Sequence, residues 1–390
     1  MAETEGHDQV TLRILVDKEK NRVVFAEAKK DFVDVLLSFL TFPLGTIARL
    51  VSKDSNLQPV RVGSLSTLYE SMENLDTEHF STYTCKEMLL QPRNSMEAYC
   101  RNLKLNIDDT EAIKYFICGN WECSRKNSGS LLSSFKNVKC SCGRLMNQEI
   151  TSTGMDVSGR GSKGYVQATA TFIICNDLNV LPNNLGTSVA LLRNLGVEDM
   201  DSIQEMTVNV SVKEVLDLLK CSLLSTTPLT DLFLPKKQFQ NAIKSQPINM
   251  SYSEICEEAA HNARQMNVKV LIRKSNRKVL FAQVEEDFAD FLFSFLTFPL
   301  GRVVHMLAGS SSLGSIDKLY ESIANLSADR YLLSQELKDT LVKPQLAPLF
   351  QFNNQILPID DEACAPKYSC ESVCEGNGIY RGNLTAQRGY

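Results

Sequence analysis

The sequence predicts an α+β protein made of duplicated hairpin-plus-helix units, with a small β-α-β-α module between them and a zinc-ribbon-like cysteine cluster. Three observations carry this. The stretch Asp31–Gly45, DFVDVLLSFLTFPLG, returns at Asp287–Gly301 as DFADFLFSFLTFPLG, and Ser38–Gly45 is identical to Ser294–Gly301. Such self-similarity is the mark of a duplicated architecture. Each copy is preceded by two apolar stretches around a polar turn, the signal of a hairpin. Finally, Cys118 and Cys123 are followed after 16 residues by Cys140 and Cys142.

In chain order, residues 1–10 read as a loose tail. Residues 11–150 form the first unit with its cysteine cluster. Leu12, Ile14 and Val16 make the first strand, Asp17–Asn21 the turn, and Val23-Val24-Phe25 the return strand. Asp31 is expected to cap the next helix, because a carboxylate there can accept from orphan N–H groups. Asp34 adds negative charge near the positive end of the helix dipole. Phe32, Val35, Leu36, Phe39 and Leu40 share one helical face. Pro43 drives Phe42 out of the α region, so the helix stops near Thr41. Leu44, Ile47, Ala48 and Val51 start a second helix, and Leu65–Leu75 a third.

Residues 151–164 are a Gly/Ser-rich linker. Residues 165–235 read as a separate β-α-β-α module. It has a strand at Tyr165–Cys175, a helix at Ser188–Leu195 stopped by Gly196, and a strand at Met206–Val210. Its last helix opens on the capping box Ser211/Glu214. Residues 236–266 are a polar, partly helical connector. Residues 267–390 are a second, truncated unit. There Leu319-Tyr320-Glu321-Ser322 echoes Leu68-Tyr69-Glu70-Ser71, Pro344 echoes Pro92, and Cys370 falls on Cys118. The counterparts of Cys140 and Cys142 are missing, so Cys364, Cys370 and Cys374 are half a site.

A chain of 390 residues with 43% hydrophobic and 22% charged residues has the composition of a globular protein. A net charge of −5 argues against a surface that grips nucleic acid everywhere. The longest membrane-like run, between Asp34 and Arg49, is interrupted by Pro43 and too short to span a bilayer. The polar, acidic N-terminus does not read as an export signal, so the expected place is the cytoplasm or nucleus. The 12 cysteines are then thiols or metal ligands rather than disulfides.

Four thiolates in two close pairs can close a tetrahedron around Zn²⁺, and four protein ligands make the site structural. The intervening segment SRKNSGSLLSSFKNVK has little to build a core from. Arg125, Lys126, Lys136, Lys139 and Arg144 surround the cluster, with Tyr115, Trp121 and Phe135 among them. Interleaved basic and aromatic residues could stack single-stranded bases; a solvated basic face is the plainer reading. Gly159–Gly164 precedes a strand, so it reads as linker rather than a phosphate loop. With four histidines and no nucleophile beside a base, no catalytic constellation emerges. Asp108-Asp109 reads as turn or cap residues ahead of a helix. No catalytic or cofactor-binding residue is assigned.

The chain resembles a plant family of unknown function (domain of unknown function 674) across nearly all of residues 10–345. The resemblance rests on LRILVDKEKNRVVFAEAKKDFVDVLLSFLTFPLGTIARL, LYES, the KC-CG step at Lys139–Gly143, LPNNLGTSVALLRNLG and VLDLLKCSLLSTTPLTDLFL. It implies no activity. Together these readings predict a non-enzymatic intracellular interaction or scaffold protein with one structural zinc and a protein partner. An enzyme of unrecognised class and a zinc-stabilised single-strand binder are the rivals. A deep pocket would favour the first, salt-sensitive binding the second.

Overall fold

Alternation of apolar and polar residues gives strands β1 (Val10–Asp17) and β2 (Arg22–Lys29), joined through Asn21 at positive φ. In this computed structural model the description covers residues 9–80, 82–110, 113–120, 123, 132–140, 142–150, 164–196, 200–234, 266–347, 367–372 and 382–387. The expected tail, linker and connector lie almost wholly outside those residues, as do Trp121, Cys364 and Cys374.

Helix α1 (Lys30–Ser38) follows β2 with no intervening turn, so Lys29 takes the cap position and no side chain caps the helix. The expected cap, Asp31, is therefore inside the first turn. The expected single apolar face is also too narrow. Val33, Asp34 and Leu37 are buried along with Phe32, Val35 and Leu36, leaving little of α1 exposed. A helix apolar all round belongs in the middle of a core. As expected from Pro43, α1 ends in a 3₁₀ turn at Phe39–Thr41. Phe42 is extended, and helix α2 (Leu44–Val51) starts beyond the proline. Helix α3 (Gly63–Asn74) follows.

Asp34 is a structural anchor. Its carboxylate accepts from the backbone N–H of Tyr165 at 2.7 Å and of Val166 at 2.9 Å, and pairs with Lys30 at 2.5 Å. Burial raises its pKa against these partners. Gly164 has φ +87, and a Cβ there would lie 1.9 Å from Asp34 Oδ2, so the crossing admits only glycine.

The segment expected to form a separate module instead completes the first hairpin's sheet. Strands β7 (Thr171–Cys175), β8 (Val180–Pro182) and β9 (Ile203–Val210) join β1 and β2 in the order β8-β7-β2-β1-β9, antiparallel throughout. The strands that lie between β2 and β7 in the chain form a separate sheet around the cysteines. Tyr165–Ala170 is not strand. There Tyr165 and Gln167 exchange backbone bonds with Leu333 and Tyr331 instead of extending β7. Both edges of the hairpin are thus covered. One face packs on α1 through Leu12, Ile14 and Val16; the other packs Phe25 and Ile173 beneath Leu191 and Leu192 of the helix Leu185–Asn194 and Leu195 just past its end. The helix Val212–Leu224 opens on the expected capping box at Ser211 and Glu214. It also buries Lys220, whose Nζ donates to Lys53 O at 2.8 Å, Ser55 Oγ at 2.6 Å and Leu57 O at 2.9 Å.

The second occurrence of the pattern gives strands β10 (Val268–Ile272) and β11 (Val279–Val284), then a helix Glu286–Ser294, a 3₁₀ turn Phe295–Thr297 and a helix Leu300–Met306. The order matches the first. Its later helices, Ile316–Asn325 and Gln335–Val342, bury Ile316, Leu319, Ile323 and Leu341 in the same core as α1. A further hairpin pairs Lys367–Ser372 with Gly382–Gln387.

The identical octapeptides meet each other. Leu44 N donates to Phe298 O at 2.9 Å and Leu300 N donates to Phe42 O at 2.9 Å, with Pro43 bridged to Pro299. A Cβ on Gly45 would stand 3.0 Å from Leu296 O, and one on Gly301 would stand 2.9 Å from Leu40 O. The repeated glycine is what lets each helix start approach the other copy's backbone.

Candidate metal centre

The cysteine region is a four-stranded antiparallel sheet of order β4-β3-β6-β5. Its strands are β3 (Tyr115–Cys118), β4 (Leu132–Ser133), β5 (Val138–Lys139) and β6 (Leu145–Ile150). Two of these strands have only two residues. Among the described residues its own buried apolar cluster is small: Phe116, Cys118, Cys123, Cys140 and Met146. Three of the five are cysteines, so burial alone supplies little to hold the sheet.

Cys118 ends β3 where the β3–β6 register shifts. Cys140 follows β5 at the start of a tight turn. There Gly143 N donates to Cys140 O at 2.8 Å, and Cys140 N donates to Arg144 O at 2.8 Å. Gly143 has φ +84, the left-handed conformation glycine adopts freely. This turn brings Cys142 back towards Cys118, with the sulfurs at 3.4 Å; Cys123 and Cys140 lie at 3.6 Å. All four sulfurs lie within 4.8 Å of one another, and Cys142 alone of the four is exposed. Asn120 N points at Cys118 Sγ from 3.4 Å. The four predicted ligands are therefore brought together, and none of them is in a disulfide.

The donor set fits a zinc ion. Zn–S bonds of about 2.3 Å place the sulfurs of a regular tetrahedron about 3.8 Å apart, close to the spacings seen. The thiols are shifted in opposite directions. The hydrogen bond to Cys140 and burial push Cys123 up to about 12, whereas the backbone N–H of Arg144 and the bond from Cys118 bring Cys142 down to about 7. Thiols this close cannot all ionise without a cation among them, and a bound divalent ion reverses that balance. Four protein sulfurs would leave it no open position for substrate.

Of the aromatic residues read as base stackers, Tyr115 is half-buried at the start of β3 and Trp121 lies outside the described residues. Phe135 is buried and covered by the Arg93 guanidinium, 4.5 Å from the ring centroid. Lys136, Lys139 and Arg144 are exposed. Asp109 is not a helix cap. It pairs with Arg49 and Lys53, while Asp108 accepts from Thr110 N at 3.1 Å, and the chain runs on to β3. The parts of the site that sequence reading left unassigned are Gly143 and the Asn120 amide. The first was signalled by the glycine directly after Cys142; the second is a backbone group and carries no residue signal.

Among the described residues no helix is long and apolar enough to cross a membrane. The family model described as Protein of unknown function (DUF674) matches residues 6–386. No curated protein and no solved structure matches the chain.

Proposed function

The chain belongs to the DUF674 family of proteins of unknown function, so its role has to be read from its own residues, and we propose that it is a non-enzymatic intracellular scaffold built from two copies of one hairpin-plus-helix unit. In this reading Cys118, Cys123, Cys140 and Cys142 hold one structural Zn²⁺. The observation that carries it is the mutual approach of four sulfurs within 4.8 Å in a sheet whose apolar cluster, among the described residues, holds only Phe116 and Met146 besides three of those cysteines. The ion supplies a fourfold cross-link where burial supplies little. Such coordination couples metal binding to local folding.

The test is metal analysis of the purified chain by plasma mass spectrometry. It should find about one zinc per chain, since four ligands close one site. Changing Cys140 and Cys142 to Ser should remove that zinc. Amide protection over residues 115–150 should fall, while the five-stranded sheet stays protected. A chain that retains full protection in that region without any metal would exclude the zinc.

A further inference from the structure

Among the described residues no strand or helix covers the second hairpin as the first is covered. Its residues correspond one by one to those of the first, down to the register shift between Leu15 and Val16, repeated between Leu271 and Ile272. Their surroundings are opposite. Phe25 is 2% exposed and its counterpart Phe281 is 59% exposed; Ile14 is 0% exposed and Val270 is 45% exposed. Leu271, Ile272, Val279 and Leu280 are also exposed, so both faces of the hairpin present apolar side chains, and Leu292 of the following helix is exposed as well. Among the described residues β10 and β11 pair only with each other. An isolated two-stranded hairpin is marginal in water and needs further strands. Exposed apolar surface of this extent marks a contact site.

We propose that this hairpin is a dimerisation surface, and that its occupant is the same hairpin of a second copy of the chain, with β11 pairing antiparallel to β11 across a two-fold axis. In the first half both edges accept a strand: β1, the counterpart of β10, takes β9, and β2, the counterpart of β11, takes β7, each antiparallel. Charge then selects the pairing. Two β10 strands centred on Leu271 would set Lys269 against Arg273, and like charges placed opposite are unfavourable. The stretch Val279–Val284 carries no charge. Two β11 strands centred on Ala282 set Leu280 against Val284 of the partner subunit and Phe281 against Gln283 of the partner subunit. They also bring Lys278 alongside Glu286 of the partner subunit, at the acidic start of the helix Glu286–Ser294. The result is a four-stranded sheet, β10-β11-β11-β10, with the two helices on one face. An isologous contact of this kind closes on itself and forms no fibre. It gives the scaffold reading a partner. It stands apart from the zinc, which metal analysis tests alone.

The full chain is to be measured by sedimentation equilibrium from low to high micromolar concentration. A monomer–dimer equilibrium is expected. Leu280→Glu and Phe281→Glu should each weaken it at least about tenfold, the scale of a central contact residue. Both positions are exposed in the monomer, so the melting midpoint of dilute protein should not move. Lys278→Glu and Glu286→Lys should each weaken the dimer about threefold, and the double exchange should restore it. A chain that stays monomeric throughout overturns the proposal, as does a dimer indifferent to Phe281→Glu. So does a lowered midpoint in dilute Phe281→Glu, which would place the hairpin under another part of its own chain.

Discussion

The hairpins β1–β2 and β10–β11 share pattern, register and bulge, yet one is the centre of a five-stranded sheet and the other lies on the surface. The difference comes from neither hairpin. It comes from β7, β8, β9 and the helix Leu185–Asn194, which cover the first pair, while the second has no equivalent among the described residues. Amphipathic pattern therefore records what a segment can bury, and the rest of the chain decides whether it does so.

The sharpest way to break this comparison is to truncate the same residue in each hairpin. Phe25→Ala should cost about 3–5 kcal/mol, the usual loss for a buried phenylalanine. Phe281→Ala in dilute protein should stay within about 0.5 kcal/mol, as surface changes do. Urea unfolding of the two variants reads both. Equal costs would mean that the second hairpin is as buried as the first.

Smaller effects sharpen the contact where the two occurrences are equivalent. Gly45→Ala and Gly301→Ala should each destabilise by about 1–3 kcal/mol, because the added methyl meets a backbone carbonyl that cannot step aside. Their midpoints in denaturant should fall by similar amounts. A loss at one position only would show that the two approaches are not equally tight.

The smallest expected effect is in pH dependence, where Arg49 and its counterpart His305 differ. Burial pushes Asp109 up, but its bonds to Arg49 and Lys53 outweigh this and leave its pKa below the ordinary 3.8. Its contribution to stability is present above 3.8 and lost as pH falls through the lowered folded value. Burial, with Arg302 and Lys343 nearby, lowers His305 below 6.5. Its neutral ring accepts or donates at Tyr320 across 2.7 Å. Stability from this group is present above 6.5 and declines as pH falls below it. Thermal melts should therefore show two acid-side steps. Asp109→Asn should flatten the lower, and His305→Gln the upper.

Local structure was largely legible in the sequence. Period-two alternation placed both hairpins, the Phe42-Pro43 step placed the helix break, and Ser211 with Glu214 placed a helix start. The four cysteines were legible too, because thiol spacing constrains what a short loop can bring together. Long-range relations were not. A strand such as Thr171–Cys175 looks the same whether it founds a module or joins an existing sheet. Asp34 reads as a dipole partner, yet its role is fixed by backbone N–H groups of Tyr165 and Val166, far along the chain. Lys220 lies among apolar residues of a helix face, and only its distant partners, the carbonyls of Lys53 and Leu57 and the Ser55 hydroxyl, together with the Asp217 carboxylate one turn away, explain why it can be buried. Nor could a single copy of SFLTFPLG show that its surface is shaped to receive another.

That octapeptide has a further consequence. A contact in which Leu44 reaches Phe298 while Leu300 reaches Phe42 is self-complementary, since the same atoms donate and accept on both sides. Each octapeptide alone carries both halves of it. Holding both in one polypeptide raises the local concentration of the pairing, so the join forms without depending on how dilute the protein is.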